Sequence, residues 1–220
     1  MKERPILFSA PMVRALLDGS KTQTRRVVKM PPSWDCVVYA DCGAGMWPYA
    51  SDDGESPTYD NNEVPMVCPY GLRGYRLWVR ESFWGCDMPG YGDTPCVVYD
   101  DEWKGKEYQP AEARPWARKF GRIPSIHMPR EASRILLEIV SVHVERLNDI
   151  SEADALAEGI DADELAERQD SYDIVCKGAE ASGRATEQSM FRELWESING
   201  AGSWDANPWV WVVEFKRVIP

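Results

Sequence analysis

Lys21 and Thr24 are the residues whose types and spacing first suggest chemistry. A lysine in a partly buried pocket has its pKa lowered and can serve as a base. A threonine hydroxyl beside such a base can become a nucleophile. Spacing alone does not establish contact. In a regular strand, residues 21 and 24 point to opposite faces, so a turn or bulge must lie between them. The competing reading is a solvated turn, because exposed lysines and threonines after a helix are common. His127 is one of two histidines, which gives poor support to a histidine-based triad or multi-histidine metal site. Six cysteines occur, none in a C-x-x-C pair. Cys36, Cys42 and Cys68 could converge on a metal, but reduced thiols are the favoured reading, and neither metal nor cofactor is expected.

Several elements must position these two residues. Residues 5–8 read as a short opening strand. Ser9 and Pro11 mark a helix start, with Met12, Val13, Leu16 and Leu17 on one face. Gly19 supplies the stop, and residues 21–28 run as a turn into a strand. Residues 31–70 carry prolines, glycines and acids without periodicity, as an elaborated loop does. Residues 76–84 alternate as a strand. Leu77, Val79, Glu81 and Phe83 share one face; Arg76, Trp78, Arg80, Ser82 and Trp84 share the other. Residues 85–122 read as irregular, apart from a strand at 96–99.

A long strand is predicted over 134–147. A helix follows, with Ser151 as N-cap, Asp154 three residues on, and its end at Gly159. Residues 161–186 read as a charged extension. A further helix over 187–198 puts Phe191, Leu194, Trp195 and Ile198 on its apolar stripe. Residues 208–215 are apolar on both faces, as a central or covered strand is. Five to seven strands and three helices, mostly not alternating, point to an α+β fold on a curled sheet rather than a doubly wound one.

The chain has 220 residues, 44% of them hydrophobic, enough for one well-buried core. One domain over 1–220 is expected, with insertions near 31–70, 85–122 and 161–186. No apolar run approaches the roughly 20 residues that span a bilayer, and residues 1–8 have no long apolar signal region. The expectation is a cytoplasmic protein without membrane contact. The net charge of −11 argues against wholesale wrapping by nucleic acid. Yet residues 1–30 and 114–134 are basic, while acid concentrates at 35–63 and 149–173, so the acidic average can hide a local basic groove.

Gly19-Ser20-Lys21-Thr22-Gln23-Thr24-Arg25-Arg26, following an amphipathic helix, resembles the G-x-K-x-x-T-x-R motif of the ASCH superfamily. Residues 211–215 resemble that family's terminal strand. The segments at 77–81, 125–129 and 203–209 resemble ASCH-related proteins of tailed phages and prophages. The resemblance covers most of the chain, except residues near 35–63 and 161–186. It implies an α+β, PUA-like (ASCH) β-barrel with flanking helices and large loop insertions, and a pocket for RNA or a modified nucleoside.

A small bacterial ASCH protein is an amidohydrolase that removes acetate from N4-acetylcytidine. It uses a lysine and a threonine of this motif and a glutamate after the penultimate strand. Carried over, these roles fall on Lys21, Thr24 and, through residues 149–158, Glu158. Glu158 would sit at a helix C-terminus, where the macrodipole disfavours negative charge and a nearby Lys21 would offset it. The plain alternative is an exposed helix-end glutamate.

Substrate-binding roles are assigned to Arg26, Arg80, Glu81 and Trp78. A guanidinium offers a planar fork for a phosphate or the pyrimidine carbonyl. Arg80 and Glu81 lie on opposite faces of their strand, so at most one faces a pocket; for Glu81 the plain alternative is an ion pair. Trp78, Trp84, Trp204, Trp209 and Trp211 include candidates for stacking a base, although most belong to the core.

Three readings stand at this point. One is an amidohydrolase acting on an N4-acylated cytidine or related modified pyrimidine nucleoside. Another is a non-catalytic phage module that binds RNA or a modified base. The last is a phage accessory protein that binds a host protein through its acidic insertions. The oligomeric state is unknown.

Overall fold

The computed structural model describes residues 2–29, 36–37, 46–47, 49–50, 66–87, 95–99, 109–110, 121–176 and 185–218. In chain order the elements begin with β1 (Glu3–Leu7), α1 (Ala10–Asp18) and β2 (Gln23–Val27). Four two-residue strands follow: β3 (Cys36–Val37), β4 (Met46–Trp47), β5 (Tyr49–Ala50) and β6 (Met66–Val67). Next come β7 (Arg76–Arg80), β8 (Phe83–Asp87), β9 (Pro95–Tyr99), β10 (Gln109–Pro110), β11 (Gly121–Ile123) and β12 (Leu136–Arg146). Helices α2 (Glu152–Ala157), α3 (Ala162–Cys176) and α4 (Glu187–Asn199) precede the last strand, β13 (Trp209–Arg217).

This is a mixed α+β fold. Its main sheet has five strands in the order β1-β7-β12-β13-β2; a second sheet runs β10-β9-β8-β11. No closed barrel is found among the described residues. Among them, too, no helix is long and apolar enough to cross a membrane.

Two compact units divide the chain, each built from separated stretches. One comprises Met1–Asp18, Gly74–Glu138 and Lys216–Pro220; the other comprises Gly19–Arg73 and Ile139–Phe215.

In the first unit, β1 lies parallel to β7, and the start of β12 pairs antiparallel with β7. Helix α1 buries Val13, Ala15 and Leu16, and Gly19, at φ 89°, ends it. Leu77, Val79, Glu81 and Phe83 are all buried, as their alternation predicts. The strand expected over 76–84 nevertheless breaks at Glu81 and Ser82. There the chain leaves the five-stranded sheet and enters the four-stranded one. Phe83 then packs with Tyr99, Ile123, Met128 and Ala132 in a separate core. The region 85–122, read as irregular apart from a strand at 96–99, supplies that strand as β9, together with the end of β8, β10 and the start of β11.

In the second unit, β13 pairs antiparallel with β2 and is buried from Val210 to Val213. It is the interior strand that its two apolar faces predicted. Against it gathers a core of Leu147, Ile150, Phe191, Trp195, Trp204, Val210 and Val212, among others. Phe191 anchors the aromatic part, with ring centroids 6.2 Å from Trp195 and 6.1 Å from Trp204.

Two expectations change here. The charged extension contains a helix, α3, whose Leu165 enters this core. On α4, Met190 is buried beside Phe191 and Trp195, whereas Ile198 is 51% exposed. The insertion expected near 31–70 falls mostly outside the described residues. The short strands there pair as β3 with β5 and β4 with β6.

Candidate functional site

The site is assembled where the start of β2 meets the end of α2. Ser151 caps α2, its hydroxyl accepting from the Asp154 N–H at 3.1 Å. Six residues later the helix stops. Glu158 is its C-cap, and Gly159, at φ 89°, lets the chain turn away. A helix end leaves carbonyls without partners; residues 21 and 22 satisfy two of them, and Gln23 adds a second bond to a third. The Thr22 N–H donates to the Ala157 carbonyl at 2.9 Å. Gln23 Nε2 donates to the Asp154 carbonyl at 2.8 Å and to Asp154 Oδ1 at 2.9 Å. Lys21 Nζ donates to the Glu158 carbonyl at 2.6 Å.

The same ammonium lies 2.8 Å from Glu158 Oε2. Both side chains are almost wholly buried, at 0% and 3% exposure. Lys21 and Glu158, assigned to one site from sequence, do meet. The exposed helix-end glutamate is set aside by this burial.

The other carboxylate oxygen is also engaged. Arg25 Nη1 donates to Glu158 Oε1 at 3.2 Å. Arg25 Nε donates to Glu145 Oε1 on β12 at 2.8 Å, and its Nη2 lies 3.6 Å from Asp154 Oδ2. His143 Nε2 stands 3.6 Å from the far oxygen of Glu145. Residues 23 and 25 thus send their side chains to α2 and β12, with Lys21 just ahead of them. Three carboxylates surround a guanidinium rather than a metal ion. Among the described residues, no group of three or more histidine, cysteine, aspartate or glutamate side chains is placed to hold a metal.

Burial pushes the Lys21 ammonium below its ordinary pKa. The charges of Arg26 and Arg25 act in the same direction, against the attraction of Glu158. Burial and these two charges thus act toward the neutral amine, the form a base needs, while Glu158 holds the ammonium.

Thr24 is buried in β2, opposite Val213 of β13. Strand alternation places it on the face away from Gln23 and Arg25, together with Arg26. Among the described residues no hydrogen bond joins Thr24 to Lys21 or Glu158. Arg26 is half-buried, and its charge is felt at Lys21 and at Tyr70. Burial pushes the Tyr70 hydroxyl up, with Arg26 opposing.

Trp78, Arg80 and Glu81 belong to the other unit. Arg80 Nε donates to the Met128 carbonyl at 3.1 Å, and its guanidinium lies 5.0 Å from the Trp78 ring centroid. Glu81 accepts a two-pronged bond from Arg134, from Nε at 2.9 Å and Nη2 at 2.8 Å. The Arg134 guanidinium is 3.9 Å from the Tyr99 ring centroid, and the Tyr99 hydroxyl donates to the Ala132 carbonyl at 2.8 Å. The ion pair considered for Glu81 is thus present.

Gln23, Arg25 and Glu145 were not singled out from sequence, and Asp154 was read only as part of a cap. No periodicity marks them, because every residue from Ser20 to Arg26 is polar. Comparison of the chain with family models, with curated proteins and with solved structures finds no match.

Proposed function

We propose that the chain is an ASCH-type domain with a PUA-like barrel, acting as an amidohydrolase on an N4-acylated cytidine or related modified pyrimidine nucleoside. The observation that carries this reading is the buried Lys21 ammonium held by the Glu158 carboxylate. A buried lysine whose pKa is lowered gives up its proton more readily than a solvated one and can then serve as a base. A carboxylate 2.8 Å away can orient it and pass the proton on.

In the proposed reaction, Lys21 takes the Thr24 hydroxyl proton as Thr24 Oγ1 attacks the acyl carbonyl. The C–N bond to N4 breaks, and N4 leaves with the proton returned by Lys21. Water then attacks the acyl-threonine ester, and the carboxylic acid departs with Thr24 restored. The net change is amide plus water giving acid plus amine. Arg26, on the Thr24 side of β2, offers its fork of donors to the pyrimidine carbonyl or a phosphate.

A non-catalytic module for RNA or a modified base is the second reading. It is favoured by the lack of a hydrogen bond from Thr24 to Lys21 or Glu158 among the described residues. Incubation with a panel of N4-acylated cytidines, followed by mass spectrometry, separates the two. Release of cytidine and the acid is the expected result. Saturable binding of the panel without release would replace the amidohydrolase by the binding module.

A further inference from the structure

The proposed reaction uses Lys21, Thr24 and Glu158, and leaves Arg25 without a part. Yet Arg25 is 4% exposed and reaches three carboxylates. The cost of placing a guanidinium in such a site is several kcal/mol unless its partners are well arranged. We propose that Arg25 is a positioning residue for this site. By holding Glu158 Oε1 while Lys21 holds Oε2, it divides one carboxylate between two cations and leaves Lys21 freer to release its proton and act as base.

The geometry supplies each part of the device. Glu158 has two oxygens, one on each cation, at 2.8 Å and 3.2 Å. A carboxylate shared in this way neutralises each partner less than an exclusive pair would. Arg25 is itself held in place, by Glu145 from β12 and Asp154 from α2, with the Phe191 ring of α4 6.0 Å away. Asp154 is fixed in turn by Gln23 and Ser151, and Glu145 by His143. Among the described residues, the charged groups felt at Lys21 are Glu158, Arg25 and Arg26.

Arg25 and Glu145 should therefore act on Lys21 in opposite senses. Without Arg25, Glu158 belongs wholly to Lys21 and a repelling charge is gone, so the ammonium is strengthened. Without Glu145, Arg25 presses harder on Glu158, so the ammonium is weakened.

This inference rests on the amidohydrolase reading for its catalytic meaning, but its test does not. Lys21 titration is followed by NMR of its side chain in the full chain, without substrate. Arg25→Gln is expected to raise the midpoint by about one pH unit, as loss of one nearby charge does. Glu145→Gln is expected to lower it, and the double variant to return it toward the starting value. Arg25→Lys, which keeps the charge, should stay within a few tenths of a unit and serves if Arg25→Gln does not fold. In turnover, the acid limb of kcat/KM should follow the same order. A Lys21 midpoint unmoved by Glu145→Gln, or moved in the same direction by both changes, overturns the inference. Opposed shifts in a chain that cleaves no acylated cytidine leave the Arg25 device standing and remove the amidohydrolase.

Discussion

Lys21 Nζ contacts Glu158 twice, at the carboxylate and at the backbone carbonyl, across 137 residues of sequence. The two bonds differ in what they achieve. The carbonyl bond closes the C-terminus of α2, where a cation is electrostatically welcome. The carboxylate bond compensates a charge that burial would otherwise make very costly. A pair this dry contributes little net stability, because desolvation cancels most of the attraction. Two apolar residues would fill the same space at lower cost.

That argument sets an order of stabilities. Glu158→Leu strips the buried lysine of its partner and is expected to cost on the order of 3 kcal/mol. Lys21→Met leaves Glu158 still held by Arg25, and should cost about half of that. The double variant should be more stable than Glu158→Leu alone. Urea unfolding followed by tryptophan fluorescence measures all three. A double variant less stable than either single would show that the pair stabilises the fold in its own right.

Acid should loosen the same network. Burial acts to raise the Glu145 carboxyl, but the His143 hydrogen bond and the Arg25 charge outweigh it and hold it below its ordinary value. For Asp154, burial is likewise outweighed, by bonds from Gln23 and Ser151 and by Arg25. With folded values below the unfolded ones, about 4, the unfolded chain takes up protons first as pH falls. Their contribution is therefore complete above roughly pH 5 and lost as pH drops through 4 and below. Urea midpoints taken from pH 7 to pH 3 should fall along this limb, and Glu145→Gln should flatten it. An unchanged limb in that variant would mean that Glu145 does not carry the effect.

How much of this was legible in the sequence depended on whether neighbours or distant partners decide a residue's surroundings. The burial of Leu77, Val79, Glu81 and Phe83 followed from alternation alone. The break after Arg80 did not, because the same alternation runs through the switch between sheets. Ser151 and Gly159 marked α2 correctly, since caps are local chemistry. Helix α3 was missed because its apolar content does not form a stripe. Leu165 enters the core, while Arg168 pairs on the surface with Glu164 and Glu193. Arg25 was passed over because nothing near it in sequence distinguishes a buried arginine from a solvated one. Its partners lie 120 and 133 residues away.

Glu81 carries a prediction of its own. It is 4% exposed and held at both oxygens by Arg134, which packs on Tyr99. Arg134→Ala removes that fork from a buried carboxylate and is expected to cost on the order of 3 kcal/mol. Adding Glu81→Gln should restore part of the loss, because a neutral amide is cheaper to bury. Thermal or urea unfolding measures both. If Arg134→Ala is silent in stability while nucleoside binding falls, Glu81 serves the ligand rather than the fold.

Thr24 gives the sharpest test of the chemistry. Lys21 and Glu158 are already in contact, whereas Thr24 sits in β2 on the face away from Gln23 and Arg25. Catalytic hydrogen bonds are often long or absent without substrate and tighten in the reacting complex. Lys21→Ala, Thr24→Ala and Glu158→Gln are each expected to reduce kcat on an acylated cytidine by about a hundredfold or more. If the three act as one unit, double variants should lose little beyond the worst single. Thr24→Ala should also abolish any acyl-enzyme seen by mass spectrometry of the intact chain after rapid quench. Thr24→Ser, which keeps a hydroxyl, should retain part of the activity. A Thr24→Ala variant that still turns over, beside an inactive Lys21→Ala, would mean that Lys21 activates water directly. The acyl group would then pass to water in one step, and Thr24 would be a packing residue of β2.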